Sequence, residues 1–218
     1  MKAQRWRITF AKTEEMRFTG HLDLILTWER TFRRSGLPLS YSEGFNPRPV
    51  INLAAPLPLG FTSKAELGDF WLSETVPEKS FSSALKAALP PGLEIMQIEE
   101  IVSIHGNKLP TLVESARYRI SLEESYPELA ARIADLLAAR SLPRERKGKA
   151  YDLRPLIQSL SLVKSHNSTT PKELETQLSL LPGATGRPDE VLKALDLDPL
   201  KARICRIKIN LKPDPSKS

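Results

Sequence analysis

Twice along the chain an alternating apolar segment leads into a helical repeat, two extended segments, a second helix and a last extended segment. Few folds accept that order, because each helix must cross a sheet to hide its apolar stripe. In the first round Trp6, Ile8 and Phe10 alternate with Arg5, Arg7 and Thr9, the period of a half-buried strand. His21–Ser35 then reads as a helix with Leu22, Ile25, Leu26, Glu29 and Phe32 on one face and Asp23, Thr27, Arg30 and Arg34 on the other. Gly36 and Pro38 end it. Ser40–Gly60 holds four of the 18 prolines and predicts an ordered loop followed by an edge or interrupted strand. Ala65–Glu74 reads as a strand, Phe81–Leu89 as a helix stopped by Pro90-Pro91-Gly92, and Leu93–Val102 as a fourth strand.

Residues 103–114 break the pattern with Gly106, Asn107 and Pro110 and form the joint to a second round. There Tyr118, Ile120 and Leu122 alternate, Pro127–Ala139 is an alanine- and leucine-rich helix, and Ser141–Lys149 is a basic extended segment. Leu160–Val163 and Leu174–Leu180 are expected to pair across the polar His166–Thr170 link, before a helix over Pro188–Leu195 and a strand over Ala202–Leu211. The expected fold is α+β, with tandem ferredoxin-like (βαββαβ) units, antiparallel sheets, and both helices of each unit on one face. The boundaries are 1–104, 115–212 and a frayed tail at 213–218. The halves share no position-by-position identity, so an unrelated two-domain α+β arrangement is the alternative.

Composition narrows the chemistry. Hydrophobic residues at 40% and charged residues at 27% describe a globular chain. No apolar run approaches the roughly 20 residues that span a bilayer, and the N-terminus leads into a strand rather than a signal-peptide core. A cytoplasmic protein without membrane contact is expected. One cysteine, Cys205, excludes an intrachain disulfide framework and a cysteine-ligated cluster held by this chain alone. His21, His105 and His166 are too scattered for a zinc site. P-loop, dinucleotide and nucleophile-elbow signatures are absent. The net charge of +6 is uneven, with 13 basic and 12 acidic residues in 1–110 against 19 and 14 in 111–218, which permits a polyanionic partner for the second half.

Three segments concentrate unusual side chains. Arg17 and His21 flank a helix start whose unpaired N–H groups favour anions, although His21 equally suits a helix cap; Arg33 and Arg34 extend the same cluster. In Gly44-Phe45-Asn46-Pro47-Arg48-Pro49, prolines hold the backbone extended while Phe45, Asn46 and Arg48 offer a stacking face, an amide and a guanidinium. That combination suits unpaired RNA bases; the alternative is a packed loop that buries Phe45. Arg144, Arg146, Lys147 and Lys149 form the third cluster, enough for several phosphate contacts. In one strand Arg144 and Arg146 would face opposite to Lys147 and Lys149, and a charge-guarded edge strand explains them as well. Arg187, ahead of a Pro-started helix, is a further phosphate candidate or a plain cap. A catalytic alternative uses His21 as general acid or base with Asp23 or Asp152.

The runs Arg17–Leu24, Trp28-Glu29-Arg30, Arg33–Pro38, Tyr41–Pro49 and Pro56–Gly60 resemble the radical-SAM-linked family of unassigned function, as do Tyr151–Pro155 and Gly186–Glu190 more loosely. Thr19-Gly20 departs from that pattern, in which a Ser precedes the His. The resemblance implies a protein found free or fused to a cobalamin-binding radical S-adenosylmethionine protein. Iron–sulfur cluster, S-adenosylmethionine and cobalamin would belong to that partner, and this chain would bind none of them. The leading expectation is an accessory protein without independent catalysis, whose two units form a groove that presents an RNA substrate such as rRNA or tRNA to the enzyme. An RNA-processing or RNA-modifying enzyme and a protein-interaction scaffold are the alternatives.

Overall fold

The structure, a computed structural model, describes residues 2–146, 148–163 and 172–213. The described residues form a mixed α/β fold with mostly antiparallel strands and five helices. The chain divides into two compact units, one made of Met1–Val113 and the segment beginning at Leu211, the other of Glu114–Asn210. At the junction the Lys212 N–H donates to the Leu112 carbonyl at 2.7 Å.

The first unit contains β1 (Gln4–Lys12), α1 (His21–Ser35), β2 (Ile51–Leu53), β3 (Thr62–Leu72), α2 (Glu78–Ala87), β4 (Leu93–Glu100) and the short turn α3 (Leu109–Leu112). Its sheet runs β4-β1-β3-β2, every pair antiparallel. Trp6, Ile8 and Phe10 point from β1 into a core closed by Leu24, Trp28 and Phe32 of α1 and by Phe81 and Leu85 of α2. The rings interlock: Trp6 stacks on Phe81 at 4.7 Å, and Trp28 meets Phe10 edge-on at 4.9 Å.

Two expectations change here. Helix α1 buries Leu24, Trp28, Thr31 and Phe32, while Leu22 and Leu26 face outward. Both stripes have helical spacing, and the one carrying the large Trp28 ring fills the aromatic core. The arginine face of β1 is also covered. Arg5 and Arg7 lie buried around Asp69 of β3, beneath the segment 103–107, whose Ser103 and Asn107 carbonyls accept from Arg5 at 3.1 and 2.9 Å. The pattern-breaking joint therefore packs over the sheet.

The second unit holds β5 (Val113–Leu122, beginning in the first), α4 (Leu129–Ala138), β6 (Pro143–Arg146), β7 (Lys149–Asp152), β8 (Ile157–Leu162), β9 (Glu173–Leu181), β10 (Ala184–Thr185), α5 (Pro188–Ala194) and β11 (Ala202–Leu211). β11 neighbours β5, which pairs antiparallel with β9, and β8 and β10 share the far edge of β9. Ala116, Tyr118 and Ile120 of β5 are buried, as are Leu129, Ile133 and Leu136 of α4 and Val191 and Leu192 of α5. The Arg132 guanidinium donates to the Leu195 carbonyl at 3.0 Å and ties α4 to the end of α5.

The basic segment differs from its expected form. It is a separate two-stranded hairpin, β6 with β7, with Gly148 at φ 72° ahead of β7. Lys147, His166 and the tail residues 214–218 lie outside the described residues.

Candidate functional site

In the first unit the proline-rich loop is closed on itself. The Ser42 N–H donates to the Arg48 carbonyl at 2.8 Å, and the Arg48 N–H donates to the Ser42 Oγ at 3.0 Å. Tyr41 and Pro49 bridge behind them. Phe45 stands fully exposed at the tip, with Asn46 and Arg48 exposed beside it, so the buried-Phe45 alternative is overturned.

Around the helix start the cations are committed. Arg17 donates from Nε to the Gly60 carbonyl at 2.8 Å and lies 5.1 Å over the Phe18 ring, and its own carbonyl accepts from the buried Lys12 Nζ. Arg33 pairs with Glu29 at 2.9 Å, and Arg34 donates to the Ala88 carbonyl at 2.8 Å. His21 is half-buried as the first residue of α1. Asp23, two positions on, is rotated by about 200° around the helix axis and is exposed. This segment fixes the loop at Gly60 to the start of α1. Phe18, Leu22, Leu26 and Leu59 are exposed apolar side chains.

In the second unit the hairpin gathers what a single strand would have divided. Arg144 pairs with Tyr151 and Arg146 with Lys149 across β6 and β7. Cross-strand partners share a face, and residues two apart along a strand share it too. Arg144, Arg146, Lys149 and Tyr151 therefore point the same way. Arg146, Lys149, Tyr151 and Asp152 line a cavity of about 550 Å³ together with Pro155, Leu156 and Gly183–Thr185. Among the described residues Arg144, Arg146 and Lys149 form no ion pair. Burial, with Glu190 adding to it, pushes the Tyr151 phenol up from its ordinary value.

Two other predicted residues hold this site together. The Asp152 Oδ1 accepts from the Leu142 N–H at 2.8 Å and the Arg154 N–H at 2.9 Å, and these bonds hold its carboxyl below the usual range. It fixes β7 to the following turn as an ionised backbone acceptor. Arg187 forms a two-bond fork with Asp189, both at 2.8 Å, and that contact raises its pKa. Gly186 is dictated by space: a Cβ there would lie 3.2 Å from Leu156 Cβ and Leu178 Cβ.

Tyr151 and Gly183–Thr185 were not among the expected site residues. Their signal is Gly148 among alternating cations, a residue that permits the chain reversal by which Tyr151 comes opposite Arg144. Among the described residues no group of three or more His, Cys, Asp or Glu side chains is placed to hold a metal ion, and no helix is long and apolar enough to cross a membrane.

No curated protein matches the chain. Among solved structures the chain is similar to an unknown protein from Galdieria sulphuraria, at 12% identity over 95% of this chain and 98% of that one; the TM-score of 0.26 carries no argument about fold or function. A family model described as an uncharacterized protein conserved in bacteria (DUF2344) matches residues 5–187. That match spans well over half of the sequence, from the first strand to Arg187, and the chain belongs to this bacterial family.

Proposed function

We propose that the protein is an RNA-binding accessory factor that presents its RNA to a cobalamin-binding radical S-adenosylmethionine enzyme. The observation that carries the RNA part is Phe45, fully exposed on a hydrogen-bonded loop next to Asn46 and Arg48. Such a ring is a stacking platform for an unpaired base, the amide can bond the base edge, and the guanidinium can meet the adjoining phosphate. The one-faced cation cluster of the second unit supplies further phosphate contacts. The enzyme partner is inferred from the family resemblance, and the single cysteine assigns any cluster ligands to that partner. Two βαββαβ units of the ferredoxin-like kind are the framework of this reading, supported by the β4-β1-β3-β2 order of the first unit and by β11-β5-β9-β8 in the second.

The test is a mobility shift with single-stranded RNA across a salt series. Loss of one stacked base predicts that Phe45→Ala weakens binding by about 1–3 kcal/mol, while the exposed position leaves folding intact. Absence of binding at low salt, or unchanged affinity in Phe45→Ala, overturns the RNA reading. A specific observation also favours a docking role: Leu22 and Leu26, one turn apart on α1, are both exposed, as are Phe18 and Leu59. Copurification of the enzyme that survives nuclease, and is lost in Leu22→Asp, would assign these side chains to the protein partner.

A further inference from the structure

The cavity between the β6–β7 hairpin and the Gly183–Thr185 turn has no role in base stacking at Phe45, yet it has the features of a small-ligand site. Its volume of about 550 Å³ exceeds what a lone phosphate fills and lies within the roughly 300–1,000 Å³ of ligand pockets. Its chemistry is divided. On the hairpin side stand Arg146 and Lys149, both exposed and without a carboxylate partner among the described residues. The half-buried Tyr151 ring lies next to them, and Pro155 and Leu156 give an apolar lining.

The acidic groups nearby are already engaged. Asp189 is held in the Arg187 fork, Glu190 pairs with Lys193 at 2.8 Å, and Asp152 accepts two backbone N–H groups. The cavity thus carries two cations, Arg146 and Lys149, against one ionised carboxylate, Asp152, whose Oδ1 is turned to backbone N–H groups, and keeps a net positive edge beside an aromatic ring. A cationic edge next to an aromatic and apolar lining matches a molecule with an anionic end and a flat, weakly polar body. The remaining lining residues, Gly183, Ala184 and Thr185, are small and leave room for a ring.

We infer that this cavity binds a nucleoside phosphate, with the phosphate on Arg146 and Lys149 and the base or ribose against Tyr151 and Leu156. Two sources share that chemistry: a free mononucleotide, and the phosphorylated end of an RNA strand. The inference stands on the cavity and does not need the Phe45 surface.

The experiment uses the full chain and measures binding of adenosine 5′-monophosphate, adenosine, inorganic phosphate, and a short oligoribonucleotide with either a 5′-phosphate or a 5′-hydroxyl. The mononucleotide is expected to bind at least tenfold more tightly than adenosine or phosphate alone. Removing either cation from the phosphate should weaken binding about tenfold, so the Arg146→Ala/Lys149→Ala variant should abolish the preference for phosphorylated ligands. A preference confined to the mononucleotide identifies the free source; a preference of the 5′-phosphorylated over the 5′-hydroxyl strand identifies the RNA end. Phe45→Ala should reduce overall RNA affinity and leave the phosphate preference unchanged, which separates this site from the stacking surface. Equal binding of phosphorylated and unphosphorylated ligands, or a preference that persists in the double variant, overturns the inference.

Discussion

Asp69→Ala should be the most damaging single substitution on the β3 side of the first unit. Asp69 is fully buried and accepts from Arg7 Nε at 2.8 Å, Arg7 Nη2 at 3.0 Å and Arg5 Nε at 3.2 Å, with a further short contact from Arg5 Nη2. Removing the carboxylate takes from the buried Arg5 guanidinium the counter-charge it shares with Arg7 and leaves the guanidinium almost out of water. Arg5 retains the Ser103 and Asn107 carbonyls and the Trp71 ring 4.8 Å away, but these are dipoles and cannot replace a full charge. Breaking a buried pair in this way costs about 3–5 kcal/mol, and at about 2–4 °C per kcal/mol the expected fall in Tm is roughly 6–20 °C. Asp69→Asn keeps the shape and one acceptor and should lose less. Replacing Arg5, Arg7 and Asp69 together with apolar residues of similar volume should recover most of the loss, since the penalty comes from the orphaned charge. Urea unfolding followed by tryptophan fluorescence reads the result through Trp6, Trp28 and Trp71 of the same unit. A cost for Asp69→Ala below about 1 kcal/mol would refute the argument, because a cluster truly excluded from water cannot lose its carboxylate so cheaply.

Further outcomes are expected in the second unit. Gly186→Ala forces a methyl to within 3.2 Å of Leu156 and Leu178 and should cost about 1–3 kcal/mol by overpacking; an unchanged urea midpoint would show that the strand edge yields. The Glu175 carboxyl is held low by its hydrogen bond from Arg117 and by Arg119. Its contribution is therefore present above the unfolded value of about 4.3 and disappears as pH falls through the lower folded value. With both arginines partly in solvent, Glu175→Gln should lose about 1 kcal/mol or less near pH 7, and the gap from the unsubstituted protein should close below about pH 4. A gap that widens on acidification contradicts the sign.

Local punctuation made some element boundaries readable. Gly36 and Pro38 mark the end of α1 where the structure ends it, and the alternation from Ala202 marks β11 to its last residue. The orientation of those elements was less accessible. In α1 the Leu22-Leu26 and Leu24-Trp28 stripes satisfy the same period, and only the partner rings Phe10 and Phe70 decide which is buried. Arg5 and Arg7 look like a solvent face because their counter-charge, Asp69, lies more than sixty residues away. The candidate sites followed the same division. Phe45, Asn46 and Arg48 were legible as a presented group because prolines and a glycine constrain them locally. The hairpin site needed a pairing register, and Tyr151 joins Arg144 and Arg146 only after the turn at Gly148 reverses the chain.

The hydrogen bond between Lys212 and Leu112 carries one more implication. The chain leaves the first unit after Val113 and re-enters it at Leu211 within backbone contact of its exit, so Glu114–Asn210 is an insertion whose two ends nearly meet. In a protein made from its N-terminus, the host unit receives its closing segment only after the whole insert has emerged from the ribosome. The same closeness means that a short glycine-serine bridge from residue 113 to residue 211 would need no long span.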